Sequence, residues 1–162
     1  MSLSNASDYR LKENEKETEL LARRTMHWGM EGNVTAVHGI SIACHPKEYR
    51  REVYKMSRDA GLSFISCPTA WIDSRRSENL TPTHNAITPV EEMIAHGLVV
   101  AIGSDNIHDV YKPYSTGEMS LELKFLLEAL HMYDQETLVD IATKNGRLVI
   151  GMEEFVNGES KT

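Results

Sequence analysis

The feature that most constrains this chain is the repeated alternation of a short apolar segment with a stretch of helical spacing. Three segments rich in β-branched and other apolar residues are each followed by a helical pattern. A predicted helix therefore separates each predicted strand from the next one, which is typical of parallel βαβ units. We therefore predict an α/β fold with parallel strands in sequential order near residues 33–37, 62–66 and 98–102.

The predicted helices carry start and stop signals. In the clearest one, Thr88 is the predicted N-cap, Pro89 the first helical residue and Glu91 the partner in a capping box. Asp134 is the predicted cap of a last helix that Gly146 ends, and residues 146–151 are predicted to continue as a short helical turn or an extended piece. The predicted helices span residues 13–29, 46–61, 88–97, 117–133 and 135–145.

Length and charge narrow the classes of protein. A chain of 162 residues allows one domain with a sizeable core but is shorter than the ~250 residues of a whole (β/α)8 barrel. The formal charge of −7 argues against nucleic acid or an anionic membrane as partner, because these partners need basic faces. The N-terminus shows no basic-then-apolar signal pattern, so we expect a cytoplasmic protein.

Polar side chains follow all three predicted strands. His38 and Cys67 come directly after the first two, and Asp105 comes shortly after the third. Because the carboxyl ends of parallel strands meet at one face, we expect His38 and Asp105 to lie close together. A carboxylate and an imidazole so placed can share a divalent metal and its water. Two plainer interpretations stay open: Asp105 as a turn residue and His38 as a half-buried structural histidine.

Two other residue types are candidates for chemistry. Cys44 and Cys67 lie in apolar surroundings without CxxC spacing, so we predict free buried thiols. Trp71 lies in a polar stretch, residues 68–87, that has no clear period. It is a candidate substrate-binding residue, and packing within the loop is the alternative.

Four stretches resemble, in order and spacing, the latter part of the amidohydrolase superfamily, and within it the cytosine deaminase and s-triazine amidohydrolase branch. The stretches are NVTAVHG from residue 33, GLSFISCPT from residue 61, ITPVEEMIAHGLVVAIGSDNIHDVYKPYSTGEM from residue 87 and IATKNGRLVIG from residue 141. The resemblance implies that the chain corresponds to the last part of a (β/α)8 TIM barrel. We assign residues 8–151 to this partial barrel, 1–7 to a disordered tail or expression scar and 152–162 to a C-terminal tail.

The resemblance also implies roles for single residues. The family's barrel holds one divalent metal, zinc or iron. Asp105 is similar to the eighth-strand Asp that binds this metal and takes a proton from its water. His38 is similar to the sixth-strand His beside the metal-bound hydroxide, and Asn106 to the neighbouring residue that hydrogen-bonds the substrate. Cytosine deaminases commonly carry Asp at the position of Asn106, whereas the triazine branch carries Asn, which argues against cytosine itself as the substrate.

The family's other metal ligands have no counterpart in this sequence. The HxH pair of the first strand is absent, and the fifth-strand His, due near Asp8, is missing. The resemblance implies a metal-dependent hydrolase or deaminase of C–N bonds in a small cyclic amine or amide, such as a pyrimidine or triazine. We expect the chain alone to be inactive and to bind metal weakly. The alternative is a non-catalytic half-barrel, and bare strand edges predict a homo-oligomer.

Overall fold

Three parallel strands form the centre of the molecule. The computed structural model describes residues 16–73 and 87–152. Each strand pairs with the next in the sequence, in the order β1-β2-β3, so the predicted parallel sheet is confirmed. The strands are shorter at their amino ends than predicted. Their bounds are β1 Thr35–Val37, β2 Ser63–Ser66 and β3 Val99–Ile102.

Helices connect and follow the strands. Within the described residues, α1 precedes the sheet, α2 and α3 connect its strands, and the remaining helices follow β3. Two 3-10 segments, Ser41–Cys44 and Pro68–Asp73, come shortly after β1 and β2. The helix bounds are α1 Glu17–His27, α2 Lys47–Asp59, α3 Val90–Ala95, α4 Met119–Leu130, α5 Gln135–Ala142 and α6 Lys144–Val149.

One face of the sheet carries the core. Ala36, Phe64 and Val100 lie opposite one another in register, and all three are buried. Neighbouring residues along a strand point to opposite faces, so these three share the face on which the helices pack. Burial of a side chain such as Phe64 contributes roughly 1.5–3 kcal/mol. The helix residues of the same core include Leu21, Ala22, Val53, Tyr54, Val90 and Met93.

Helix α6 reaches strands at both ends of the sheet. The Asn145 amide donates to the carbonyl of Val100 in β3 at 2.8 Å. The N–H of Gly103 donates to the carbonyl of Ser66 in β2. Because the backbone groups of successive residues in a strand point to alternate sides, the Val100 carbonyl faces away from β2, toward the outer edge of the sheet. The Thr35 hydroxyl of β1 donates to the carbonyl of Val149 at 3.1 Å. The β3 edge, which we expect to be bare because no further strand among the described residues pairs with it, thus has one carbonyl bonded to a side chain of α6.

Two helix signals were assigned wrongly and one correctly. Helix α3 begins after Pro89 without a side-chain cap, because the Thr88 hydroxyl donates to the carbonyl of His38 instead. Gly146 does not end the last helix: the chain turns at Thr143 and continues as α6, so the segment 146–149 is helical. The cap at Asp134 is confirmed by its bond from the Thr137 N–H at 3.2 Å.

An ion pair joins α2 to α3 on the outer side of the core. Arg50 donates to both carboxylate oxygens of Glu92, at 2.8 and 2.5 Å, and the Tyr54 hydroxyl donates to the same carboxylate at 3.0 Å. We call Arg50, Tyr54 and Glu92 the helix-side cluster. The guanidinium of Arg50 lowers the pKa of Glu92. The cluster therefore fixes the two helices against each other.

The described residues contain no helix of the length and apolarity that a membrane span requires. The predicted tail at 1–7 lies outside the described residues, as does 153–162 of the predicted C-terminal tail.

Candidate functional site

His38 and Asp105 meet at the carboxyl ends of the strands. His38 follows β1 directly, and Asp105 lies shortly beyond β3. The His38 Nε2 is 3.8 Å from the Asp105 Oδ1, with side chains 15% and 26% exposed. The predicted closeness of these two side chains is confirmed, while their chemical roles stay predictions.

Both residues have a left-handed backbone. The φ angle is +72° at His38 and +57° at Asp105. His and Asp tolerate this region better than most side chains, but it remains unfavourable and occurs often at functional sites. The His38 N–H donates to the carbonyl of Ile65 at 2.8 Å, and its own carbonyl accepts from Thr88. These bonds hold the strained residue in place.

Gly103 permits the chain to leave β3 close to β2. A Cβ at this position would lie 2.9 Å from the Ile65 Cγ2 and 3.4 Å from the Cys67 Sγ. The first distance is shorter than ordinary contact allows, so a larger residue would push the two strand ends apart. The glycine of the GSD sequence therefore brings Asp105 close to the neighbouring strand.

Lys112 faces the second carboxylate oxygen of Asp105. Its Nζ lies 3.5 Å from the Asp105 Oδ2 and donates to the Thr69 hydroxyl at 3.1 Å, and the side chain is only 8% exposed. Thr69 in turn donates to Glu122 from its N–H at 2.9 Å and its hydroxyl at 2.6 Å. Glu122 is buried. We call His38, Thr69, Asp105, Lys112 and Glu122 the strand-end cluster.

Asp109 shapes the turn that follows Asp105. Its Oδ1 accepts from the N–H groups of Tyr111 and Lys112 at 2.9 and 2.8 Å, and its Oδ2 accepts from the Asn106 amide. These bonds lower the pKa of Asp109, that from the Lys112 N–H most of all. The carboxylate bonded to the turn's N–H groups is thus Asp109, while the described contacts of the Asp105 carboxylate are with His38 and Lys112.

Cys67 lies beside this cluster as a free, buried thiol, as predicted. Burial, and next the charge of Asp105, raise the pKa of Cys67 to about 12. The thiol is therefore protonated near neutral pH, which makes it a poor nucleophile. Trp71 belongs to the segment Pro68–Asp73, but its side chain lies outside the described part, as does that of Cys44.

The described residues do not by themselves fit a transition-metal site. Zinc sites take three or four protein ligands, and residues 16–73 and 87–152 contain no group of three or more His, Cys, Asp or Glu able to hold an ion. His38 and Asp105 provide two ligand atoms, and the other oxygen of Asp105 faces an ammonium group. The predicted metal role of Asp105 stays a prediction.

Lys112 and Glu122 are not among the site residues predicted from the sequence. Glu122 precedes Leu126 by four residues on helix α4, so it occupies the apolar face of that helix. A charge at such a position is a detectable signal of a buried partner. Lys112 carries no comparable signal, because it lies in a polar loop.

Two curated relatives cover part of this chain. It is 56% identical to a protein of Haemophilus influenzae over 81 residues, which make up 50% of this chain and 29% of that protein. It is 28% identical to the N-isopropylammelide isopropyl amidohydrolase of Pseudomonas sp. strain ADP over 137 residues, 83% of this chain and 31% of the enzyme. The chain thus spans about a third of the length of these relatives.

The fold and the family agree. The structure of 5-methylcytosine deaminase from Klebsiella pneumoniae matches with a TM-score of 0.79 and 25% identity, over 90% of this chain and 36% of that one. The α/β arrangement of parallel strands therefore corresponds to a portion of an amidohydrolase TIM barrel. The sequence model of the Amidohydrolase family matches residues 12–156. This chain belongs to the Amidohydrolase family.

Proposed function

We propose that the strand-end cluster is part of the active site of a hydrolase that cleaves a C–N bond in a small cyclic amine or amide. The observation that carries this proposal is the 3.8 Å separation of the His38 Nε2 and the Asp105 Oδ1. Family membership supports the class of reaction. Both residues lie at the end of the strands where barrel enzymes have their active sites.

The separation suits a shared water molecule. An oxygen atom can lie within a hydrogen-bond distance of about 2.8 Å from both atoms. In the proposed reaction Asp105 accepts a proton from this water, and the oxygen of the water bonds to the ring carbon of the substrate. The C–N bond then breaks, a proton passes to the leaving nitrogen, and ammonia or an amine departs. His38 lies where it can hold the attacking oxygen or transfer that proton.

We propose that the reaction is metal-dependent, because the family generally uses a divalent metal. Zinc or iron is the proposed ion, with Asp105 as one ligand. The remaining ligands are not among the described residues. The proposal therefore assigns this chain one metal ligand and the proton-handling pair.

For the substrate we propose a pyrimidine- or triazine-like ring. One relative is named for N-isopropylammelide and the structural match for 5-methylcytosine. Asn106 is the proposed hydrogen-bond partner of the ring, and Trp71 a proposed contact on its face. The Nδ2 of Asn106 donates to Asp109. A role in binding would therefore use the amide oxygen or require a rearrangement.

A chimera tests the proposal directly. Residues 16–152 replace the corresponding part of the Klebsiella pneumoniae 5-methylcytosine deaminase. Release of ammonia or isopropylamine is then measured with 5-methylcytosine, cytosine and N-isopropylammelide, with added Zn²⁺ or Fe²⁺. We expect turnover from the folded chimera and none from this chain alone. A chimera that unfolds cooperatively but turns over none of the three compounds contradicts the proposal.

An observation also favours the second candidate, self-association. Helix α1 exposes Leu20 and Met26, and the residues after it expose Trp28 and Met30, with Trp28 67% accessible. Exposed apolar groups that lie near one another in sequence favour contact between copies. We propose a homo-oligomer, and light scattering measures its mass. A monomer of 18.3 kDa at all concentrations contradicts this part.

A further inference from the structure

Lys112 is the cation that faces Asp105 at the strand ends. Its Nζ lies 3.5 Å from the Asp105 Oδ2, and its side chain is 8% exposed. Burying an ammonium ion this deeply is strongly unfavourable unless opposite charge and hydrogen bonds compensate it. Asp105 compensates it directly, and Glu122 does so through the hydroxyl of Thr69.

The two oxygens of the Asp105 carboxylate face different groups. Oδ2 faces Lys112 at 3.5 Å, and Oδ1 faces the His38 Nε2 at 3.8 Å. Because a carboxylate is planar, attraction of one oxygen to a fixed ammonium also sets the direction of the other. We propose that Lys112 is a positioning residue that orients Asp105 so that Oδ1 faces His38. The benefit of this orientation for catalysis rests on the proposed function of the pair.

The ammonium can act this way only if it is itself held. The Lys112 N–H donates to the Asp109 Oδ1 at 2.8 Å, which fixes the backbone of the turn. The Nζ donates to Thr69, and both the N–H and the hydroxyl of Thr69 are bonded to the buried Glu122. Glu122 belongs to α4 and Thr69 to the segment after β2, so the anchor is part of the core. Lys112 therefore connects Asp105 to side chains that are held in the core.

A double-mutant cycle in the 162-residue chain measures the contact. The variants are Lys112→Met, Asp105→Asn and the double variant that carries both changes. Urea unfolding gives the equilibrium constant of unfolding for each of them and for the parent. We expect a coupling of about tenfold, equal to about 1.4 kcal/mol. The matched control is the exposed pair Lys144 and Asp140, 3.7 Å apart, for which we expect less than about threefold. Equal coupling in the two cycles overturns the proposal.

NMR of the lysine ammonium groups measures the surroundings of Lys112 independently of the free energy of unfolding. The ¹H–¹⁵N signal of the Lys112 ammonium is identified by its loss in Lys112→Arg, a variant that keeps the charge if Lys112→Met fails to fold. We expect this signal to shift in Asp105→Asn and to stay unchanged in Asp140→Asn. A Lys112 signal that is insensitive to Asp105→Asn overturns the proposal.

Turnover of the chimera then tests the catalytic consequence. In folded Lys112→Met we expect kcat to fall about 10- to 100-fold with little change in KM, and Lys112→Arg to restore part of the loss. An unchanged kcat in the folded variant overturns the positioning role. If the parent chimera is inactive, the proposed function fails, whereas the cycle and the ammonium signal still decide whether Lys112 orients Asp105.

Discussion

Two charged clusters of this molecule pair a cation with a carboxylate in different ways. In the helix-side cluster, Arg50 contacts both oxygens of Glu92 at 2.5 and 2.8 Å. In the strand-end cluster, the contacts of Asp105 are longer, 3.5 Å to Lys112 and 3.8 Å to His38. The first cluster lies on helical backbone, whereas the second includes two residues with left-handed φ.

The comparison distinguishes two kinds of contact. The helix-side cluster holds two helices together, whereas the spacing in the strand-end cluster suits the binding of a small reacting molecule. In a bidentate Arg–carboxylate pair the guanidinium donors bond directly to both carboxylate oxygens, which fixes the geometry of the two side chains. Asp105 and His38 lie too far apart for a direct hydrogen bond and close enough to share a small polar molecule. Both residues also have a left-handed backbone, a strained conformation that is frequent at functional sites.

The largest expected effect separates the two clusters by activity. In the chimera, His38→Gln should lower kcat by about 10²- to 10⁴-fold, the range for loss of a group that transfers protons. The control is His96→Gln. His96 packs on Tyr54 of the helix-side cluster, so its replacement should leave kcat nearly unchanged. Similar losses in the two variants would remove the distinction between the clusters.

The next largest effect concerns Glu122, the buried hydrogen-bond acceptor of the strand-end cluster. Glu122→Ala leaves the N–H and hydroxyl of Thr69 without their acceptor, so we expect a loss of roughly 2–4 kcal/mol in the free energy of unfolding. Glu128→Ala, an exposed site on the same helix, should change it by less than about 0.5 kcal/mol. Urea unfolding measures both, and a loss at Glu122 no larger than that at Glu128 contradicts the account.

The helix-side cluster should contribute less, because it is partly solvated. Arg50→Met removes the bonds to Glu92 and to the His45 carbonyl. With 18% of the Arg50 side chain exposed, we expect a loss of about 1–2 kcal/mol. Its neighbour Arg51 is exposed, so Arg51→Met is the matched control. Thermal unfolding of the two variants at one pH makes the comparison, and equal melting temperatures contradict it.

Much of this arrangement could be predicted from the sequence. The parallel sheet and the meeting of His38 with Asp105 follow from strand order, since the carboxyl ends of parallel strands converge. The role of Lys112 could not be predicted, because it depends on the turn around Asp109 and on a bond to Thr69, which lies 43 residues away in the sequence. Thr88 was assigned wrongly because the carbonyl that takes its hydroxyl bond lies far away in sequence.

The smallest effect is a dependence of stability on pH. The pKa of Glu92 is lowered by its bond from Arg50. A carboxylate with a lowered folded-state pKa stabilises the protein above its unfolded pKa of about 4.3 and loses that contribution as the pH falls. Glu92→Gln should therefore lose less stability than the parent between about pH 5 and pH 3. Urea unfolding across this range measures it, and parallel curves contradict the assignment.

Turnover of the chimera carrying Asp105→Asn tests the central claim most directly. The substitution keeps the size of the side chain but removes the charge that faces His38 and Lys112. We predict that kcat falls by about 10³-fold, while Glu92→Gln, the same change in the helix-side cluster, leaves it nearly unchanged. A folded Asp105→Asn chimera with turnover close to that of its parent would contradict the assignment of this cluster to the active site.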